Sequence, residues 1–119
     1  MTVHEDIRIP FEIEGRRFEA VGFLREKEGA VSGNEMLRRT AGENGGAIGE
    51  KDAVFFLERP IWLPVELQPY YLVTNRRCPG RSQEVLCFYF NGYAWNRYQL
   101  WRRLVNDWEN HYLVLRRCS

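Results

Sequence analysis

Apolar and polar residues alternate near the start of the chain. Ile7, Ile9, Phe11 and Ile13 occupy every second position, with charged residues and Pro10 between them. A period of two is typical of a strand that buries one face. Because proline has no N–H to donate to a ladder, Pro10 predicts that this strand lies at a sheet edge or pairs on one side only.

The dipeptide Glu14-Gly15 predicts a tight turn after this strand. The register of such a turn sets Phe11 opposite Phe18 on the inner face and Glu12 opposite Arg17 on the outer face. The opposite charges of the second pair favour the same register. We therefore expect an N-terminal hairpin with strands at about 7–13 and 16–24.

Two short helices are predicted next. Ser32 and Glu35 have the spacing of a capping box, so a helix should span 33–40 and end before Gly42. A second helix is expected over 50–58, because a proline at position 60 disfavours the helical conformation in the residue before it. The inward-facing residues of this second helix would be Ala53, Val54, Phe56 and Leu57.

Aromatic residues dominate the C-terminal half. An apolar run leads into Asn91-Gly92, a dipeptide that tolerates the positive φ angles of a two-residue type I′ turn. The following stretch would return along the run, with Phe88 opposite Trp95 and Leu86 opposite Arg97. The outgoing strand is apolar on both sides, which is typical of a strand covered on both faces.

A helix is the alternative for residues 94–108. Apolar residues there fall at a helical spacing, namely Tyr98, Trp101, Val105, Trp108 and Tyr112. The Asn-Gly turn and the many rings, which pack well on a pleated surface, favour a strand.

The remaining segments complete an α+β pattern over residues 1–119. We expect an extended crossing at 61–68 with one short turn, a strand at 70–74, a polar loop at 75–83, and a last strand at 112–116. The sheet should be largely antiparallel, made of the N-terminal hairpin and a C-terminal aromatic meander. The two-helix insert would cover one face.

Length and composition indicate one globular domain of 119 residues, 45% hydrophobic and 28% charged. No apolar run approaches the ~20 residues of a membrane span, and the N-terminus lacks the features of a signal peptide. The three widely spaced cysteines, Cys78, Cys87 and Cys118, indicate reduced thiols, with Cys87 in the core. These features predict a cytoplasmic protein without membrane association.

Basic and aromatic residues share the second half of the chain. Residues 1–59 hold nine Lys/Arg and twelve Asp/Glu, whereas residues 60–119 hold eight Arg, four acids and twelve of the seventeen aromatic residues. Rings beside guanidinium groups suit protein–protein hot spots and also stacking with single-stranded nucleic acid. The pI of about 7.7 favours a protein partner, because it falls short of a strongly basic footprint.

The candidate binding surface follows from the predicted returning strand. Its residues are Trp95, Arg97, Gln99, Trp101 and Arg103 on one strand face, with Arg76, Arg77 and Arg81 from the polar loop. The alternative is a core of rings whose arginines reach solvent. We expect a non-catalytic module that binds a protein, including a second copy of itself, through this surface. Single-stranded nucleic acid is the first alternative ligand.

Cys78 supplies a second alternative, a small enzyme or anion-binding pocket. Three nearby arginines, Arg76, Arg77 and Arg81, would favour its thiolate, although no general base adjoins it in sequence. A structural loop cysteine is the simpler interpretation, and no catalytic residue is predicted.

Three further features predict no site. Residues 42–49 are glycine-rich but lack the preceding strand and the Lys-Ser/Thr pair of a phosphate loop, so a helix–helix connector is expected. Asp107, Glu109 and His111 would share one side of an extended segment and could hold a divalent cation, but solvated charges at an Asn-Asp turn are the favoured interpretation. His4 lies in a terminus that we expect to fray. No metal or cofactor is predicted.

Overall fold

The computed structural model describes residues 3–42, 45–59, 63–96 and 100–118. Within these residues the predicted α+β class is confirmed. The strands are β1 (Arg8–Ile13), β2 (Arg16–Val21), β3 (Val31–Ser32), β4 (Tyr71–Cys78), β5 (Arg81–Phe88), β6 (Leu100–Arg103), β7 (Asp107–Trp108) and β8 (Tyr112–Arg117). The α-helices are α1 (Gly33–Arg39) and α2 (Glu50–Glu58), and short 3-10 helices span His4–Asp6 and Val65–Leu67.

β1 and β2 form the predicted N-terminal hairpin. Phe11 lies opposite Phe18, and Glu12 lies opposite Arg17 with an ion pair of 3.5 Å. The two turn residues, Glu14-Gly15, have φ angles of 49° and 80°, the left-handed values that a type I′ turn requires. The predicted turn and register are both confirmed.

The main sheet has six strands in the order β1-β2-β8-β4-β5-β6. β1 is therefore an edge strand, as Pro10 predicts. β8 lies between β2 and β4, antiparallel to the first and parallel to the second. The expected C-terminal meander is wrong in this respect, because Leu113, Val114 and Leu115 are buried on both sides of β8 and require the centre of the sheet.

The turn at Asn91-Gly92 is wider than the predicted two-residue turn. The Oδ1 atom of Asn91 accepts hydrogen bonds at 3.0 Å from the N–H groups of residues 93 and 94, which stabilises a four-residue turn. Phe90, rather than Phe88, consequently pairs with Trp95.

The register of the returning strand changes as well. Leu86 lies opposite Trp101 in the β5–β6 ladder, instead of opposite Arg97 as predicted. Residues 97–99 lie outside the described part of the chain. The alternative helix over 94–108 is wrong, because β6 and β7 occupy much of that stretch.

The polar loop expected over 75–83 is also wrong. β4 continues to Cys78 and β5 begins at Arg81, so this stretch is a hairpin with Pro79-Gly80 at its turn. Gly80 follows a proline and has a φ of 77°, as a type II turn requires. Register shifts on either side of Arg77 break the alternation by which such a strand is recognised in a sequence.

Both α-helices lie where they are predicted. The hydroxyl oxygen of Ser32 caps α1 by accepting a 3.2 Å hydrogen bond from the Glu35 N–H. In α2 the buried side chains are Ala53, Phe55 and Phe56, so Phe55 replaces the expected Val54 on the inner side. Among the described residues, no helix is long and apolar enough to cross a membrane.

The two α-helices cover opposite faces of the sheet, and the expectation that both cover one face is wrong. Successive residues of β8 divide between two apolar clusters, with Leu113 in one and Val114 in the other. Phe56 of α2 packs in the first cluster, whereas Met36 of α1 packs in the second. β5 is accordingly buried on both sides, as its apolar run predicts.

The glycine-rich connector carries the chain between these two faces. Ala47 pairs with Arg116 at the end of β8, and the Ile48 N–H donates a 2.9 Å hydrogen bond to the Leu115 carbonyl. The Ile48 carbonyl accepts a 2.8 Å bond from the Asn75 N–H of β4. This segment therefore inserts between β8 and β4, which places α2 on the face opposite α1.

Candidate functional site

Trp95 lies in the core. Its side chain is 6% exposed and packs edge-on against Phe90, with ring centroids 5.7 Å apart. Arg97 and Gln99, predicted on the same face, lie outside the described residues. The alternative interpretation, rings in the core, therefore describes Trp95.

Trp101 is half-buried and packs against the cluster that contains α2. The guanidinium carbon of Arg76 lies 5.8 Å from the centroid of its ring, and Arg76 Nε donates a 2.8 Å hydrogen bond to Glu50. The first residue of α2, strand β4 and strand β6 therefore meet around one indole ring. These contacts hold the inner side of β6 in place.

The other predicted arginines gather at one end of the sheet. Arg77, Arg81 and Arg103 are exposed beside the turn that joins β4 to β5. Arg81 forms a 3.7 Å ion pair with Glu84, which lies directly opposite Arg103 in the ladder. The structure thus places three of the predicted arginines on the neighbouring strands β4, β5 and β6, toward the β4–β5 turn.

Arg102 reaches the opposite face of the same strand. Its guanidinium carbon lies 5.3 Å from the ring centroid of Tyr112 and 5.7 Å from that of Trp108, two buried rings of the second cluster. Arg102 is not among the predicted binding residues, because the predicted register gives no reason to single it out. The sequence feature that could have drawn attention to Arg102 is the arginine pair at positions 102 and 103.

On its outer side, the backbone of β6 pairs with no other strand of the described residues. Among the described residues, β5 is the one strand that pairs with it. The Leu104 N–H donates a 2.8 Å bond to the Gln83 carbonyl, and this bond fixes which residues face β5. In an antiparallel ladder, hydrogen-bonded residue pairs alternate with pairs that are not hydrogen-bonded. Leu100 and Arg102 therefore direct their N–H and C=O groups to β5. Trp101 and Arg103 direct theirs outward, where the Arg103 carbonyl accepts a 3.1 Å hydrogen bond from the Asn106 N–H.

The Cys78 sulfur contacts the residue that follows it in the chain. Cys78 is half-buried at the β4–β5 turn, where its sulfur lies 3.8 Å from the Pro79 carbonyl oxygen. His4 and His111 line a cavity of about 580 Å³ together with Asn110 and Tyr70, and Cys78 is not among the residues of that cavity. Burial raises the pKa of the Cys87 thiol to about 12, so Cys87 stays protonated in the core.

The candidate cation ligands are not gathered into a site. Asp107 lies in β7, whereas the ring of His111 packs against Tyr71 and Tyr112. Among the described residues, no group of three His, Cys, Asp or Glu side chains could hold a metal ion. Asp107, Glu109 and His111 are all exposed, as solvated charges would be.

His4 is an ordered part of the fold, so the expected frayed terminus is wrong from Val3 onward. Its Nδ1 atom accepts hydrogen bonds of 3.1 Å from the N–H groups of Phe23 and Leu24, and Nε2 lies 3.0 Å from the Tyr112 carbonyl oxygen. This pattern requires a neutral imidazole that carries its proton on Nε2. No local sequence signal marks His4, because all three partners are distant along the chain.

No protein-family model, curated protein or solved structure matches this chain in the three comparisons made.

Proposed function

We propose that this chain is a non-catalytic protein-binding module that adds an extended segment of its partner to the outer side of β6. The observation that supports this function is the edge at Trp101 and Arg103, whose backbone groups face away from β5. The Arg103 carbonyl accepts a 3.1 Å hydrogen bond from the Asn106 N–H, whereas both outward N–H groups and the Trp101 carbonyl have no backbone partner among the described residues. An unpaired row of such groups is a template for strand addition, in which main-chain hydrogen bonds supply affinity. Half-buried Trp101 would give side-chain contact beside that row.

A protein segment fits this edge better than single-stranded nucleic acid does. Nucleic acid needs free aromatic faces for its bases. Trp95 is buried, and Arg76 already lies over the ring of Trp101. A protein strand requires chiefly the backbone groups of β6, which these contacts leave open.

The proposal includes a cytoplasmic location, supported by three cysteines that form no disulfide with one another. A second copy of the chain is the simplest protein partner to test. If the β6 strands of two copies paired with each other, the four arginines at positions 102 and 103 would all lie in one short ladder. Their like charges would repel one another. A different protein is therefore the favoured partner.

The test separates the backbone of Arg103 from its side chain. Random octapeptides displayed on phage are selected on the immobilised chain, and selected peptides are titrated against two variants. Arg103→Pro removes an outward N–H without removing a β5–β6 hydrogen bond, whereas Arg103→Ala removes the charge and keeps the N–H. We expect Arg103→Pro to weaken peptide binding at least about tenfold, because hydrogen bonds to the added strand are lost.

Peptide binding that is equal for wild type and Arg103→Pro would contradict strand addition at β6. Circular dichroism and thermal unfolding of both variants establish that the fold is retained. Binding of an oligothymidine at low salt, weakened steeply by added salt, would instead identify nucleic acid as the ligand.

A further inference from the structure

We propose that the segment received by β6 is acidic, with carboxylates opposite Arg102 and Arg103 and apolar side chains opposite Leu100 and Trp101. This inference rests on the proposed function, because it assigns a partner chemistry to the same edge. It commits to another protein rather than to a second copy of the chain.

The charge around the end of β6 supports an acidic partner. Arg77, Arg81 and Arg103 are exposed there, and Arg102 lies between Arg103 and the buried rings on the other face. Glu84 lies among these arginines and pairs with Arg81 at 3.7 Å, and the exposed Asp107 follows the turn after β6. The four arginines at 77, 81, 102 and 103 outnumber these two carboxylates, and the excess favours negative charge on a partner.

Arg103 itself is placed to receive a carboxylate. Glu84 faces it across the ladder, but the Glu84 side chain pairs with Arg81, and among the described residues Arg103 has no recorded ion pair. A side chain of an added strand opposite Arg103 would lie about 4.5–5.5 Å away between Cβ atoms. A glutamate or aspartate at that position can reach the guanidinium group without rearrangement of the sheet.

The order of residues in β6 predicts the order of residues in its partner. Leu100 and Trp101 form an apolar pair, and a basic pair follows, half-buried Arg102 and exposed Arg103. An added strand thus meets an apolar pair and then a basic pair. A second copy of β6 does not match this order, since antiparallel pairing sets arginines against the apolar pair and parallel pairing sets arginine against arginine.

Three synthetic peptides test the inference on the full chain. The first is Thr-Glu-Glu-Val-Val-Thr. In the other two, both glutamates are replaced by glutamine or by lysine, and all three peptides have blocked ends. Binding is followed by amide chemical shifts, with attention to Trp101 and Arg103. We expect the glutamate peptide to bind about fivefold more tightly than the glutamine peptide, and the lysine peptide to bind most weakly.

A charge reversal in the protein supplies the matched control. Arg103→Glu should invert the preference, so that the lysine peptide binds more tightly than the glutamate peptide. Arg25→Glu makes the same change of net charge beside the cavity that contains His4, and it should leave the order of the three peptides unchanged. Added salt should reduce the differences among the peptides.

The outcomes separate this inference from the proposed function. Shifts at β6 with equal affinity for all three peptides would overturn the acidic partner and leave strand addition standing. An absence of shifts at β6 with every peptide would contradict both. A dimer in solution that Arg103→Pro dissociates would assign the edge to a second copy, and would overturn the inference.

Discussion

The two edges of the main sheet are built differently. The Gly22 N–H donates to the Ile7 carbonyl, and this register turns the backbone groups of Arg8, Pro10 and Glu12 outward from β1. Pro10 lies in the middle of that row and has no N–H, so β1 cannot offer a complete ladder to another strand. β6 carries no proline among its four residues, and the outward N–H groups of Trp101 and Arg103 have no backbone partner among the described residues.

The β1 edge is also anchored to the rest of the fold. The 3-10 helix before it is tied by His4 to the segment after β2 and to β8. Natural sheets protect their edges against unwanted pairing, and β1 shows such protection. The difference between the edges indicates that pairing is prevented on one side of this sheet, and it supports the assignment of binding to the other.

The largest expected effect is the loss of this anchor in Gly22→Ala. A Cβ atom at Gly22 would overlap the carbonyl group of His4, a backbone group that cannot rotate away. The N-terminal segment must move, and we expect unfolding to become easier by about 3 kcal/mol, in the upper range for overpacked positions. Chemical denaturation measures this change.

Gly29→Ala is the matched control for this substitution. A Cβ atom there would meet nothing within 4 Å, and its φ is not in the left-handed region. Its stability should stay equal to that of wild type or rise by a few tenths of a kcal/mol. Equal effects of the two alanines would show that the anchor does not secure β1.

Acid should release the same anchor through His4. Burial lowers the pKa of His4 below its ordinary value, and the opposing carbonyl groups of Tyr112 and Asn110 reduce this effect. The unfolded chain therefore binds the proton more readily than the folded chain does. The contribution of His4 to stability is fully present above pH ~6.5, and it decreases as the pH falls toward the pKa of His4 in the folded state. The slope cannot exceed about 1.4 kcal/mol per pH unit, because a single proton is bound. Partial solvation of the ring should keep it well below that limit.

Urea titrations of His4→Gln and wild type from pH 7 to pH 5 test this assignment. The variant removes the titrating ring and should flatten the dependence of stability on pH. A slope that survives in His4→Gln would place its origin outside the anchor.

Removal of the proline should open the β1 edge. Pro10→Thr restores an outward N–H while the side chain stays exposed, at a cost of about 0.4–1 kcal/mol from greater freedom of the unfolded chain. We expect the variant to self-associate more strongly than wild type in light scattering at increasing protein concentration. Unchanged association would mean that charge, rather than Pro10, protects this edge.

Sequence reasoning succeeded where local chemistry decides the structure. The turn at Glu14-Gly15, the edge position of β1 and the Ser32 cap each depend on residues within a few positions of one another. The same reasoning failed at Asn91, because the asparagine side chain bonds to two backbone N–H groups and widens the turn. That change moved Trp95 into the core and set a different register for β6.

The open edge could not be predicted from the sequence, because strand order depends on long-range packing. The insertion of β8 at the centre of the sheet leaves β6 outside, and no residue of β6 encodes that outcome. Among the predicted binding residues, Arg77, Arg81, Trp101 and Arg103 lie near this edge. Their selection rested on composition, and their common position depends on the β4–β5 hairpin, which the sequence analysis interpreted as a loop.

The smallest expected effect compares one carboxylate–arginine pair at each edge. Glu12 and Arg17 face each other across β1 and β2 and form a 3.5 Å ion pair, whereas Glu84 faces Arg103 but pairs with Arg81. A double-mutant cycle with alanine should give a coupling energy of about 0.2–1 kcal/mol for the first pair, weakened by salt. The coupling between Glu84 and Arg103 should be near zero in the free chain. A coupling as strong as that at β1 would mean that Arg103 is already neutralised, and the β6 edge would then have no excess positive charge to offer a partner.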